Sequence, residues 1–94
     1  MSLDHVRSEI SKLDREIIAL IAKRQELAGK VAEIKIREGI AIHDGKQSEK
    51  VLATVFDRAV ESRIDPVAVQ EIFRILIGMS EDRQRGFSGE GNLP

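Results

Sequence analysis

From Val6 onward, apolar residues recur at alternating steps of four and three: Val6, Ile10, Leu13, Ile17 and Leu20, then Leu27, Val31 and Ile34. A four-three repeat held this long predicts one straight amphipathic helix with a seam for partner helices. It runs from residue 3 or 4 to about residue 37, with Ser2 or Asp4 able to cap it. Gly29 is the helix-breaker inside it, and a lone internal glycine is tolerated. Roughly 34 residues rising about 1.5 Å each give about 50 Å. A compact chain of this size has a radius of gyration of only about 13 Å. Two shorter helices cannot cover such a stripe, so the pattern predicts a dimer with long helices packed on each other.

Residues 37–46 (REGIAIHDGK) read as a loop broken by Gly39 and Gly45, with Ile40-Ala41-Ile42 short enough to suit a strand as well. A second helix is predicted over about residues 47–62, with Val51, Leu52, Val55, Phe56 and Ala59 on one face. Arg63-Ile64-Asp65-Pro66 is a start signal: Asp65 as the cap and Pro66 at the first helical position. The third helix continues to about residue 85 and carries Val69, Ile72, Phe73, Leu76 and Met79. Residues 86–94 (GFSGEGNLP) are glycine-rich and read as a flexible tail. The expected fold class is all-α, with three helices per chain and a long first helix, in one domain.

One position in the seam is not apolar: Arg24 stands where the register calls for a leucine. Burying a guanidinium costs several kcal/mol, on the order given by desolvation, unless something anionic meets it. Two readings follow, a bound anion or an internal Arg–Glu pair. Lys35 lies almost three turns further along, so it shares a face with Arg24 about 16 Å away. On the third helix Ser80 and Gln84 are four apart, either facing water at a fraying end or joining the same site. Arg7 is about 25 Å along the axis from Arg24, and reaches the same small ligand only from an antiparallel partner chain. Together the cations imply a buried site for a small dianion, shared across a dimer.

Composition narrows the chemistry. A net charge of −1 argues against nucleic acid as partner, because phosphate binding needs a basic surplus. Charged residues at 33% and hydrophobic residues at 41% place the chain among globular domains. Without cysteine there is no thiolate chemistry. His5 and His43 match no metal-ligand spacing and read as solvated. Every apolar run is short and flanked by charge, so no membrane span or signal peptide is expected and the default address is cytoplasmic. No nucleophile with a base, glycine-rich phosphate loop or metal cluster is visible, and no cofactor is expected.

In order and spacing, these residues resemble the all-helical chorismate mutases, without a gap over about residues 4–85. The resemblance rests on Arg7 in VRSEISKLD, Arg24 and Lys35 in LIAKRQELAGKVAEIK, Asp44 in AIHD, and Ser80 and Gln84 in IFRILIGMSEDRQ. It implies an intertwined homodimer of three-helix chains, in which each active site takes an arginine from the partner. By that likeness residues 1–85 form the mutase-like domain and 86–94 the tail. Arg24 would bind one substrate carboxylate, and Arg7 of the other chain the second. Lys35 and Gln84 would donate hydrogen bonds to the ether oxygen of the breaking bond. Ser80 would help hold a carboxylate, and Asp44 would lie near the ring hydroxyl. The reaction implied is the Claisen rearrangement of chorismate to prephenate, in the shikimate route to aromatic amino acids. It needs no proton transfer and no covalent intermediate, only a folded substrate and donors aimed at the ether oxygen.

The chain departs from the family at one place. After Asp44 the family usually has an arginine and a glutamate three and four residues on, where this chain has Gln47 and Ser48. Both neutral residues can still hydrogen-bond the substrate, but a charge of each sign is gone. Two other functions suit the same scaffold. One is isochorismate pyruvate lyase, with a similar cationic pocket; the other is a non-catalytic helical dimerisation or regulatory module.

Overall fold

The computed structural model describes residues 1–88, and among these every regular element is a helix: α1 (Leu3–Glu38), α2 (Gly45–Glu61) and α3 (Pro66–Ser88). Ser2 closes the start of α1, its Oγ accepting from the His5 N–H at 3.1 Å. Gly39 ends the helix in the left-handed region at φ 71°, where a side chain would be strained. There the N–H groups of Gly39 and Ile40 reach the carbonyls of Ile36 and Lys35 at 3.3 and 2.8 Å.

α2 begins at Gly45, two residues before the periodicity predicts. Asp44 is the reason: its Oδ1 accepts from the Gln47 N–H at 3.1 Å, and its carbonyl from the Ser48 N–H at 3.0 Å. A well-placed cap is worth about 1 kcal/mol, enough to offset the similar cost of a glycine in the first turn. Ile40-Ala41-Ile42 stays in the loop and forms no strand.

The turn into α3 closes on Arg63, which sits in the left-handed region at φ 60°. Its N–H and that of Ile64 cap Val60 and Ala59, both at 3.1 Å. Asp65 then caps α3, its Oδ1 accepting from Val67 and Ala68 at 2.9 and 3.3 Å. α3 continues past Arg85 to Ser88, three residues into the segment expected as a tail. Residues 89–94 lie outside the described part of the chain.

α3 packs on both α1 and α2, which do not pack on each other. The residues α1 buries are all small: Ala28, Gly29 and Ala32. Small side chains at a crossing let two helix axes approach closely, so Gly29 belongs to a contact face as well as being tolerated. α2 buries Ala59, and Gln70 of α3 donates from Nε2 to the Leu52 carbonyl at 3.0 Å. Among the described residues no large side chain is fully buried. The apolar seam of α1 is left open, each of its eight members being 39% to 62% exposed. The molecule is accordingly elongated, 54 Å in its longest dimension with a radius of gyration of 16.4 Å. No described helix is long and apolar enough to cross a membrane.

Candidate active site

A cavity of about 360 Å³ opens where the second half of α1, the α1–α2 loop, the start of α2 and the second half of α3 meet. α1 supplies Arg24, Val31 and Lys35, seven and four residues apart and therefore on one face. Ile42 and Asp44 come from the loop, and Gln47, Ser48 and Val51 from α2. α3 presents Ile77, Ser80, Glu81 and Gln84, the i, i+3, i+4, i+7 stripe of a helix face.

The centre of the site is a chain of hydrogen bonds between distant parts of the sequence. Lys35 Nζ donates to Gln84 Oε1 at 2.9 Å and to the Ile42 carbonyl at 2.7 Å. An ammonium can only donate, so it fixes which way the Gln84 amide points. Gln84 Nε2 is thereby turned toward Ser80, donating to its Oγ at 3.2 Å. Gln84 is 6% exposed, the one buried polar side chain among the described residues. Each of these donors keeps something in reserve: two of three N–H bonds are used on Lys35, and one of two on the Gln84 amide.

Arg24 meets no carboxylate at ion-pair distance among the described residues, so the internal Arg–Glu pair is not formed. Its guanidinium carbon instead lies 5.7 Å from the centre of the Phe73 ring. Stacking on a ring contributes about 0.5–1 kcal/mol and leaves the N–H groups for another acceptor. The cavity thus carries two cations, Arg24 and Lys35, and two carboxylates, Asp44 and Glu81. Asp44 is partly committed to capping α2.

Sequence reasoning expected Arg24, Lys35, Asp44, Gln47, Ser48, Ser80 and Gln84 in one site, and all seven line this cavity. Arg7 does not: it is exposed on the first turns of α1, away from its own chain's cavity. Val31, Ile42, Val51, Ile77 and Glu81 also form the wall. Val31 reads in the sequence as a seam residue only, and Glu81 is hidden in the charged run Glu81-Asp82-Arg83. The stripe spacing from Ile77 to Gln84 is the signal that finds both Ile77 and Glu81. His43 is solvent-exposed as the sequence suggests, and in addition its Nδ1 is 2.8 Å from Glu81 Oε1. His5 lies 4.0 Å from Glu9 on the exposed surface of α1. No group of residues suited to a metal ion occurs among the described residues.

The comparisons with known proteins agree with the geometry. The family model for chorismate mutase type II matches residues 6–85. A chorismate mutase of Methanocaldococcus jannaschii is 33% identical over 88 residues, covering 94% of this chain and 89% of that protein. The T-protein of Haemophilus influenzae is 32% identical over 88 residues, 92% of this chain but only 23% of that longer protein. Among solved structures, a conserved hypothetical protein from Pyrococcus furiosus superimposes with a TM-score of 0.70 at 36% identity, covering 88% of this chain and 95% of that one. With the match spanning nearly the whole helical unit, the chain belongs to the type II chorismate mutases.

Proposed function

We propose that the cavity is where this chain, an isomerase by its family, rearranges chorismate to prephenate. The observation that carries the assignment is the Lys35–Gln84 contact at 2.9 Å, which sets two spare hydrogen-bond donors side by side in the cavity. In the rearrangement an ether C–O bond breaks while a C–C bond forms, and negative charge grows on the ether oxygen. The third N–H of Lys35 and the second N–H of the Gln84 amide stabilise that charge. Donors held in place before the reaction need no reorganisation during it, which is why each is worth about 3–4 kcal/mol in comparable sites.

The remaining residues fold the substrate. Arg24 presents a planar fork to one carboxylate, the geometry that suits a bidentate pair. Ser80 adds a hydroxyl beside it, and Asp44, Gln47 and Ser48 form the wall on the α2 side. Holding the enolpyruvyl arm over the ring turns a rare conformer into the bound one, lowering the barrier further.

The second carboxylate requires a cation that one chain does not supply at this cavity. Arg7 of the partner subunit fills that place in an intertwined homodimer. Support comes from the open seam of α1, with eight apolar side chains from Val6 to Ile34 exposed in the single chain. At about 1.5–3 kcal/mol for full burial of each such side chain, half-burial leaves on the order of 10 kcal/mol unrealised. That equals the whole stability of a typical small domain. A second copy laid antiparallel along the seam recovers it and carries Arg7 to the opposite cavity.

Incubation with chorismate and identification of the product tests the assignment. Prephenate is expected. Salicylate plus pyruvate from isochorismate, with no turnover of chorismate, would make the neutral Gln47-Ser48 pair the mark of a pyruvate lyase. No turnover of either would leave a binding or dimerisation module.

A further inference from the structure

The geometry points to Glu81, set by His43, as the residue that accepts the substrate's ring hydroxyl; this rests on the cavity being the chorismate site. Glu81 lies on the α3 stripe that faces the cavity, between Ser80 and Gln84, and its side chain is only 18% exposed. A carboxylate in the wall of a site for a dianion is costly unless it is positioned for something. Two groups position it. His43 Nδ1 stands 2.8 Å from its Oε1, and because a carboxylate only accepts, that ring nitrogen carries the proton and donates. Arg85, one turn along α3, reaches its Oε2 at 3.5 Å.

These contacts use about two of the four lone-pair directions of the carboxylate and leave the rest for the cavity. The other candidates for a hydroxyl are less suited. Asp44 caps α2 with Oδ1 and is exposed, so water competes for its Oδ2, and α2 itself offers only the neutral Gln47 and Ser48. The cationic groups, Arg24 and Lys35, sit on α1. The cavity is therefore polarised, with carboxylates drawn to α1 and a hydroxyl donor drawn to Glu81. His43 acts through Glu81 as a positioning residue. It belongs to the same loop that Lys35 holds through the Ile42 carbonyl, so loop and carboxylate are set together.

The test is a binding cycle on the full chain, by calorimetric titration with two bicyclic dicarboxylate transition-state mimics that differ only in a ring hydroxyl. A hydrogen bond to a charged acceptor predicts a preference of about tenfold or more for the hydroxylated mimic in the unmodified protein. Glu81→Ala should bind both mimics alike. Glu81→Gln, which keeps the shape and one accepting oxygen, should retain part of the preference. His43→Ala should reduce the preference to about threefold, and should change nothing further in the Glu81→Ala background. Preference surviving in Glu81→Ala would assign the hydroxyl to Asp44 or Ser48 and overturn the proposal. So would equal weakening or equal tightening of both mimics, since Glu81 would then only shape or repel. Failure of the unmodified protein to bind either mimic would instead overturn the reading of the cavity itself.

Discussion

Lys35 Nζ and Gln84 Oε1 are 2.9 Å apart, although 49 positions separate the two residues in the chain. The contact ties the last turn of α1 to the last turns of α3, and the same ammonium holds the Ile42 carbonyl at 2.7 Å. One side chain thus assembles three of the four segments around the cavity while keeping a third N–H, the donor proposed to act in the reaction.

Lys35→Ala should lower turnover of chorismate at least a hundredfold, the usual effect of removing one preorganised donor. It should also cost about 1–3 kcal/mol of stability, because the Gln84 carbonyl and the Ile42 carbonyl lose their partner. Arg24→Ala should lose comparable activity mainly through KM, with a smaller stability change, since Arg24 only stacks on Phe73. Steady-state kinetics beside urea unfolding separates the two patterns. Near-normal turnover in either variant, with helicity retained, would place the chemistry elsewhere.

Gln84→Glu should make activity acid-dependent. The new carboxylate would sit at the Lys35 ammonium, whose charge favours ionisation and lowers its pKa. Ionised, it has no proton to donate and repels the charge growing on the ether oxygen. Protonated, it donates again. Activity should therefore be present below the pKa of the new group and fall as pH rises through it. A kcat/KM profile parallel to that of the unmodified protein would remove Gln84 from the reaction.

What could be read from the sequence follows from the range of the interactions involved. The four-three repeat from Val6 to Ile34 is local and strong, so α1 could be placed to within a residue at each end. Asp65-Pro66 fixed the start of α3 for the same reason. Arg24 stands out because a cation in an apolar register is anomalous, and Lys35 because it lies almost three turns further along on the same face. By contrast, Glu81 looks ordinary in a charged run, and only its long-range contact with His43 distinguishes it. α2 starts earlier than its periodicity indicates because Gly45 weighs against a helix in any propensity count, whereas the Asp44 cap outweighs it. Arg7 is apart from the cavity in a single chain, and the role proposed for it needs a second copy, which no local signal in the sequence positions.

Ending the chain at Arg85 should damage the site. α3 continues to Ser88, so this cut removes the N–H groups that bond the carbonyls of the preceding turn, which includes Gln84. The melting temperature should fall by a few degrees, about 1 kcal/mol, and turnover should fall with it. Ending the chain at Ser88 instead should leave both closer to normal. Equal behaviour of the two truncations in thermal melts and assays would show that the last turn of α3 supports nothing.

Arg63→Gly should stabilise the protein. Arg63 is held at φ 60°, a conformation that costs a side chain about 1–2 kcal/mol and glycine nothing of the kind. Glycine loses more backbone entropy on folding, which offsets about 0.5–1 kcal/mol of that. The net gain should be several tenths of a kcal/mol, seen as a higher urea midpoint at unchanged slope. Because the turn joins α2 to α3 away from the cavity, kcat/KM should not move. A lower midpoint would mean that the Arg63 side chain contributes more than its backbone costs.

The shared site makes the most exacting prediction, because it ties assembly to chemistry. With the seam from Val6 to Ile34 exposed in one chain, sedimentation at micromolar concentration should give about twice the 10.5 kDa chain mass. Arg7→Ala and Arg24→Ala should each be inactive as homodimers. When the two are unfolded together and refolded as a mixture, half of the dimers should be mixed. In a mixed dimer one cavity loses both arginines, while the other combines an intact Arg24 with the intact Arg7 of the partner subunit. Activity should then recover to about a quarter of the unmodified level, since one cavity in four is whole. Recovery requires that Arg7 act across the interface, as a residue serving its own chain would leave every cavity defective. Proven subunit exchange without recovery would sink the shared site, and a well-folded monomer would sink the dimer with it.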